Sequence, residues 1–205
     1  MARGKLISIE GLDGAGKTTL AGDLLAELGA RGVRARLLRE PGGVQAAENI
    51  RGLVKDPSAR ISARAEALLY AAARAQLVEE ALEPLLARGT WVLLDRFVDS
   101  SLAYQGAGRQ LGLDAVRTIN AFATAGLTPD RTLLLRIDPA TGRRRSHGRG
   151  ALDRLELESH EFFSRIAAAY DELARGEPDR IRVIDADRPP TEVVSAALRE
   201  LADLV

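Results

Sequence analysis

Apolar residues fall along this chain in two rhythms. Short apolar-rich segments occur at residues 6–10, 33–39, 91–95, 131–137 and 180–184, and the one over 91–94 is an unbroken apolar run. Such runs mark strands buried on both faces, the habit of parallel sheets. Between them lie longer stretches with apolar positions three and four apart, the period of a helix with one buried face. The spacing predicts helices over 17–31, 45–54, 62–87, 98–105, 113–125, 159–174 and 191–204. Ser62 is placed to cap the third of these, and Pro84 is expected to interrupt it. Gly32 and the cluster Glu40-Pro41-Gly42-Gly43 punctuate the chain as stops and turns. Strands alternating with helices pair in parallel through right-handed crossovers. The expected fold class is therefore α/β, a three-layer α/β/α sandwich on a five-stranded parallel sheet. No repeat or linker divides it, so residues 1–205 read as a single domain. An Arg- and Gly-rich insertion at about 140–153, expected to be mobile, is too short to fold alone.

Composition narrows the function. Lys+Arg and Asp+Glu both number 29, so the chain lacks the basic excess of a general nucleic-acid binder. With no cysteine, disulfides and thiolate metal sites are excluded. The N-terminus carries no signal-peptide pattern, and no apolar run approaches the roughly 18 residues of a membrane helix. A soluble, cytoplasmic protein with no nucleic-acid or membrane partner is expected.

The strongest chemical signal is Gly11-Leu-Asp-Gly-Ala-Gly16-Lys17-Thr18, which matches G-x-x-x-x-G-K-[ST]. It follows a predicted strand and opens a predicted helix, the context a P-loop requires. Its glycines let successive N–H groups turn inward toward phosphate oxygens, and the helix N-terminus adds positive potential. Gly11, Leu12, Asp13, Gly14, Ala15, Gly16, Lys17, Thr18 and Thr19 are the expected ATP-binding residues. Lys17 is suited to bridge the β- and γ-phosphates and Thr18 to ligate Mg²⁺. Asp13 is unusual, because a carboxylate in a phosphate cradle is unfavourable without another task. It either accepts a hydrogen bond from an acceptor's sugar hydroxyl or points to solvent.

Asp95 and Arg96 follow the apolar run 91–94, at the carboxyl end of a strand, where ligands bind in open α/β sheets. Asp95 is placed to hold a Mg²⁺-bound water and Arg96 to grip a phosphate bidentately. A purely structural Asp–Arg pair is the alternative.

The run Asp95-Arg96-Phe97-Val-Asp-Ser100-Ser101-Leu-Ala-Tyr104-Gln105-Gly106, with Glu40-Pro41-Gly42-Gly43 and Arg149-Gly-Ala-Leu-Asp153-Arg154-Leu-Glu156, resembles the bacterial type of thymidylate kinase. Order and spacing hold from residue 5 to about 185. The resemblance implies a P-loop kinase fold with an Arg-rich lid, a homodimer, and ATP-dependent, Mg²⁺-requiring phosphorylation of dTMP to dTDP. It implies that Tyr70 stacks on thymine, a position more often Phe in the family, and that Arg74, four residues on, hydrogen-bonds the base O4. From the residues alone, Tyr70 and Arg74 also fit a surface pair. By the same resemblance Ser101 and Gln105 read the N3 edge and Tyr104 crowds the 2′ position. Arg51 and Arg96 hold the acceptor phosphate, with Asp13 and Glu40 flanking sugar and phosphate.

Residues 143–149 contain Arg143, Arg144, Arg145, His147 and Arg149. An exposed cationic loop or an RNA patch would give the same composition. A phosphotransferase, however, needs positive charge over the migrating group and must exclude water. Gly14 stands where the eukaryotic type of the family carries a P-loop arginine. The resemblance to the bacterial type assigns that task to Arg149, with Lys17, Arg96 and Asp95 completing the catalytic set. His147 departs from the arginine that relatives can carry there. Two rival readings remain open: a kinase for another nucleotide or nucleoside, and a P-loop ATP-binding module without turnover.

Overall fold

The computed structural model describes residues 2–147 and 153–205. Its sheet is five-stranded and parallel throughout, in the order β2-β3-β1-β4-β5. The strands are β1 (Leu6–Gly11), β2 (Ala35–Arg39), β3 (Trp91–Asp95), β4 (Arg131–Arg136) and β5 (Ile181–Asp185). β1 lies at the centre, with Ile7 opposite Leu93 on one side and Arg131 on the other.

Alternation along the strands divides the core. Ile7, Ile9 and Leu93 face one way, onto Leu20, Leu24 and Leu28 of α1 (Lys17–Ala30). Leu6, Val92 and Leu94 face the other way, onto Leu77, Leu82 and Leu86. Each fully buried leucine contributes about 1.5–3 kcal/mol. These two layers hold the carboxyl ends of β1 and β3 side by side, and the site is built there.

Helix α2 (Gln45–Lys55) leads to α3 (Ala63–Leu77), whose first turn is capped by Ser62 accepting from Ala65 N–H. The expected break near Pro84 is a change of pitch. A π-helical turn, Val78–Leu82, precedes α4 (Glu83–Ala87), so Pro84 falls in a first turn where its missing N–H is harmless. Likewise α5 (Val98–Ser101) runs on as a π-helical turn, Leu102–Gly108, before α6 (Leu113–Thr124).

The Arg-rich segment opens as a helix, α7 (Pro139–His147). Asp138 caps it by accepting from Thr141 N–H, and Pro139 takes the first helical position. Those are ordinary start signals that the Arg and Gly content masks. Gly148, Arg149 and the residues to 152 lie outside the described residues. α8 (His160–Gly176) and α9 (Pro190–Glu200) complete the chain.

Candidate active site

The glycine loop bends where β1 ends. Gly11, Gly14 and Gly16 have φ of 134°, 81° and 93°, and Gly16 caps α1. Lys17 Nζ donates to the carbonyl oxygens of Gly11 at 3.1 Å and Leu12 at 2.8 Å. Burial, then the neighbouring Arg96 charge, depress its ammonium to about pKa 8, against the pull of Asp13, Asp95 and Glu10. Thr18 Oγ1 lies 3.2 Å from Asp95 Oδ2, so the two expected magnesium-site residues meet across the β1–β3 junction. Both offer hard oxygens, which suits Mg²⁺ shared with nucleotide phosphates. No cluster of three or more candidate metal-binding side chains occurs among the described residues.

Arg96 adopts φ 72°, a conformation that costs a non-glycine residue about 1–3 kcal/mol. The end of β1 supports it: Arg96 N–H donates to Ile9 O, and Phe97 N–H donates to Glu10 Oε1 at 2.7 Å. This turn aims the guanidinium at the loop. Nη1 donates to Gly11 O and Ser100 Oγ, and Nη2 donates to Asp13 Oδ1 at 2.6 Å and to Tyr104 Oη at 3.2 Å. Asp13 is thus not turned outward. Burial pushes its carboxyl up, but Arg96 and Lys17 outweigh this and hold it well below the usual range. The Tyr104 hydroxyl donates to Asp13 Oδ2 at 3.0 Å.

A cavity of about 200 Å³ runs from this point to the space between α3 and the turn Leu102–Gly108. It joins Lys17, Thr18, Asp95 and Arg96 at one end to Tyr70, Arg74, Ser101 and Gln105 at the other, with Glu40 and Arg51 along its wall. Arg51 is held by Pro41 O at 2.9 Å. Arg74 is 1% exposed, which removes the surface-pair alternative. Its five N–H donors go to Glu40, Ser101, Asn120 and Phe97 O. Ser101 Oγ accepts one of them, which leaves the hydroxyl proton free to donate. The other Glu40 oxygen, Oε1, has no partner among the described residues, and burial raises that carboxyl.

A family model for thymidylate kinase matches residues 9–197. The chain belongs to the thymidylate kinase family. It is 49% identical to a thymidylate kinase of Deinococcus radiodurans over 94% of each chain. It is 46% identical to that of Lactobacillus delbrueckii subsp. bulgaricus over 96% of this chain and 95% of the relative. With the thymidylate kinase of Methylococcus capsulatus the identity is 43%, over 100% and 98%.

Within this family member, several functional side chains escape a sequence reading. Glu10, fully buried, accepts from Phe97 N–H, Ser100 Oγ and Tyr170 Oη. Asn120 fixes Arg74, its own amide nitrogen donating to Val116 O. Glu66, fully buried, gathers Gln105, Arg109 and Arg154. The available signal was a charged residue on an otherwise apolar strand or helix face. Of the arginines of α7, Arg144 bonds Thr141 and Arg145 bonds Ala186 O and Asp187. Glu156 ties the two roots of the segment, accepting from Ser146 Oγ at 2.7 Å and Asp153 N–H at 3.0 Å. Arg149 lies outside the described residues.

Proposed function

We infer that this chain transfers the γ-phosphoryl group of ATP to dTMP, giving dTDP and ADP. The observation that carries the reading is the single cavity that joins the glycine loop to the Tyr70–Gln105 end. A nucleoside monophosphate laid along it puts its phosphate beside Arg96 and its base against Tyr70. A phosphate oxygen of dTMP then attacks the γ-phosphorus, and the bond to the β–γ bridging oxygen breaks. The acceptor is already a nucleophile near neutral pH, so no strong base is required. Catalysis rests on alignment and charge neutralisation. Lys17 faces the donor phosphates and Arg96 with Arg51 the acceptor's, while Asp13 and Glu40 flank the sugar and phosphate. Magnesium bound with ATP supplies further neutralisation, and Thr18 and, through water, Asp95 would hold it. Tyr104 beside Asp13 fits a 2′-deoxy sugar.

Arg149 is proposed as the cation over the transferring group. It follows that Arg149→Ala lowers kcat by orders of magnitude while dTMP affinity stays within a few-fold. A homodimer is proposed on α2, α3 and α6, whose outer faces expose Leu53 at 48%, Leu68 at 56% and Phe122 at 91%. Light scattering of the purified protein checks it. No helix among the described residues is long and apolar enough to cross a membrane, and we assign the activity to the cytoplasm.

An acceptor panel with ATP and Mg²⁺, scoring each phosphorylated product, tests the reading. dTMP is expected to lead. A different leading acceptor, or no acceptor-dependent ADP, would replace it with one of the rival readings.

A further inference from the structure

The polar groups at the base end of the cavity have their hydrogen-bonding sense set from behind. Gln105 Nε2 donates to Glu66 Oε1 at 2.9 Å. An ion-paired carboxylate only accepts, so the amide nitrogen is the atom that must face it. The amide oxygen is then left for the cavity that Gln105 lines. Glu66 itself is 0% exposed and cannot swing away, because Arg109 holds it at 3.1 Å and Arg154 at 2.6 Å. Beside it, Ser101 Oγ accepts from Arg74 Nη1 at 2.9 Å, which leaves its own proton free to donate. The cavity therefore presents an acceptor and a donor in adjacent places.

We propose that Glu66 is a specificity-determining positioning residue, which selects bases carrying an N3–H by locking the Gln105 amide with its oxygen inward. Thymine and uracil have that N–H beside a carbonyl and meet both groups. Cytosine has a bare N3 acceptor, which opposes the Gln105 amide oxygen. The inference rests on the dTMP reading above and adds to it the residue that enforces the choice without touching the base. The competing role for Glu66 is purely structural, as the centre of ion pairs that anchor Arg154 beyond the lid. That role would weaken every nucleotide alike, so the ratio of affinities separates the two.

The experiment measures dTMP and dCMP affinity by calorimetry for wild type, Glu66→Asp, Glu66→Gln and Arg154→Gln, each checked for folding by thermal melting. Asp keeps the charge for both arginines but withdraws it from Gln105 by one methylene. Gln can donate or accept and so no longer dictates the amide's sense. In both Glu66 variants the preference for dTMP over dCMP should fall about tenfold or more, the scale of one misplaced buried hydrogen bond. Arg154→Gln should weaken both nucleotides and leave the ratio within about twofold, since the Gln105–Glu66 bond persists. An unchanged ratio in folded Glu66 variants overturns the inference and spares the dTMP reading. A ratio that falls equally in Arg154→Gln, or failure of both Glu66 variants to fold, also overturns it by making Glu66 structural. A wild type with no preference for dTMP removes the dTMP reading and this inference together.

Discussion

Gly14 of the phosphate loop and Gly142 of α7 meet backbone to backbone: a Cβ on Gly14 would lie 2.1 Å from the Gly142 carbonyl oxygen. One on Gly142 would lie 2.8 Å from the Asp13 carbonyl oxygen. Helix α7 thus rests on the loop, and neither side has room for a side chain. In an ordinary helix Gly→Ala stabilises by roughly 0.5–1 kcal/mol. Here Gly142→Ala should give no such gain and should raise the KM for ATP several-fold more than that for dTMP, because the added methyl pries α7 off Asp13. Melting and steady-state kinetics check both. A more stable protein with an unchanged KM would show that the seam yields.

The same contact shows what a sequence can and cannot disclose. The glycine loop and the Asp95-Arg96 turn are legible because their chemistry is local: a strand end, a turn and a helix start within a few residues. The sheet is legible for the same reason, since its strands are short apolar-rich segments set off by turns and helices. Gly142 is not, because its partner lies 128 residues away in sequence, and a glycine among arginines reads as a loosening element. Glu66 and Asn120 are hidden similarly. Each sits on a helix whose pattern is satisfied without it, and only the packing of α3 against α6 and the turn Leu102–Gly108 brings their partners within reach. Arg74 was placed at the base site by resemblance, and the structure adds that its donors are spent on supporting Ser101, Asn120, Glu40 and Phe97 O.

ATP binding should take up protons near pH 8. Burial, then Arg96, hold Lys17 at about pKa 8 in the free protein. As the pH passes that value the ammonium is lost, and nucleotide phosphates restore it on binding. Affinity for ATP should therefore fall above about pH 8, with net proton uptake seen by calorimetry in buffers of different ionisation enthalpy. In Lys17→Arg the charge is permanent, and both effects should vanish even if catalysis is lost.

Asp99 is a buried anion with one dominant counterion. Arg180 grips it bidentately, Nη1 to Oδ2 at 2.7 Å and Nη2 to Oδ1 at 2.9 Å, with Thr132 Oγ1 donating to Oδ2. The Asp99 side chain is only 3% exposed. Arg180→Met should cost about 3–5 kcal/mol in urea denaturation, chiefly by leaving the carboxylate unpaired. The double variant Asp99→Asn/Arg180→Met should recover part of that loss. A single-variant cost under about 1 kcal/mol would mean that water reaches Asp99.

Glu10 links stability and the seat of Arg96 through one proton. Burial, then Asp99, raise its carboxyl from 4.5 to about 7, against the hydrogen bonds from Ser100 and Phe97 N–H and the charge of Arg96. The folded protein therefore keeps this proton up to about pH 7, whereas the unfolded chain releases it near 4.5. Between those values the native state binds more protons, so stability from this group is full below about 4.5 and is lost as pH rises through about 7. Glu10→Gln does not titrate. The stability of wild type relative to this variant should thus decline across that window, measured by denaturation at closely spaced pH. The amide oxygen can still accept from Phe97 N–H and hold the Arg96 turn. Its nitrogen cannot accept from Ser100 Oγ, which lies 2.5 Å from Glu10 Oε2 and 3.1 Å from Arg96 Nη1. Above about pH 7, where wild-type Glu10 is ionised, Arg96 should then sit less firmly, weakening dTMP about tenfold while ATP affinity holds within about twofold, the cost of one buried acceptor lost. A flat stability difference from pH 4.5 to 7.5 would mean that Glu10 stays ionised beneath the loop. Equal losses for both nucleotides would mean that it supports the sheet and not Arg96.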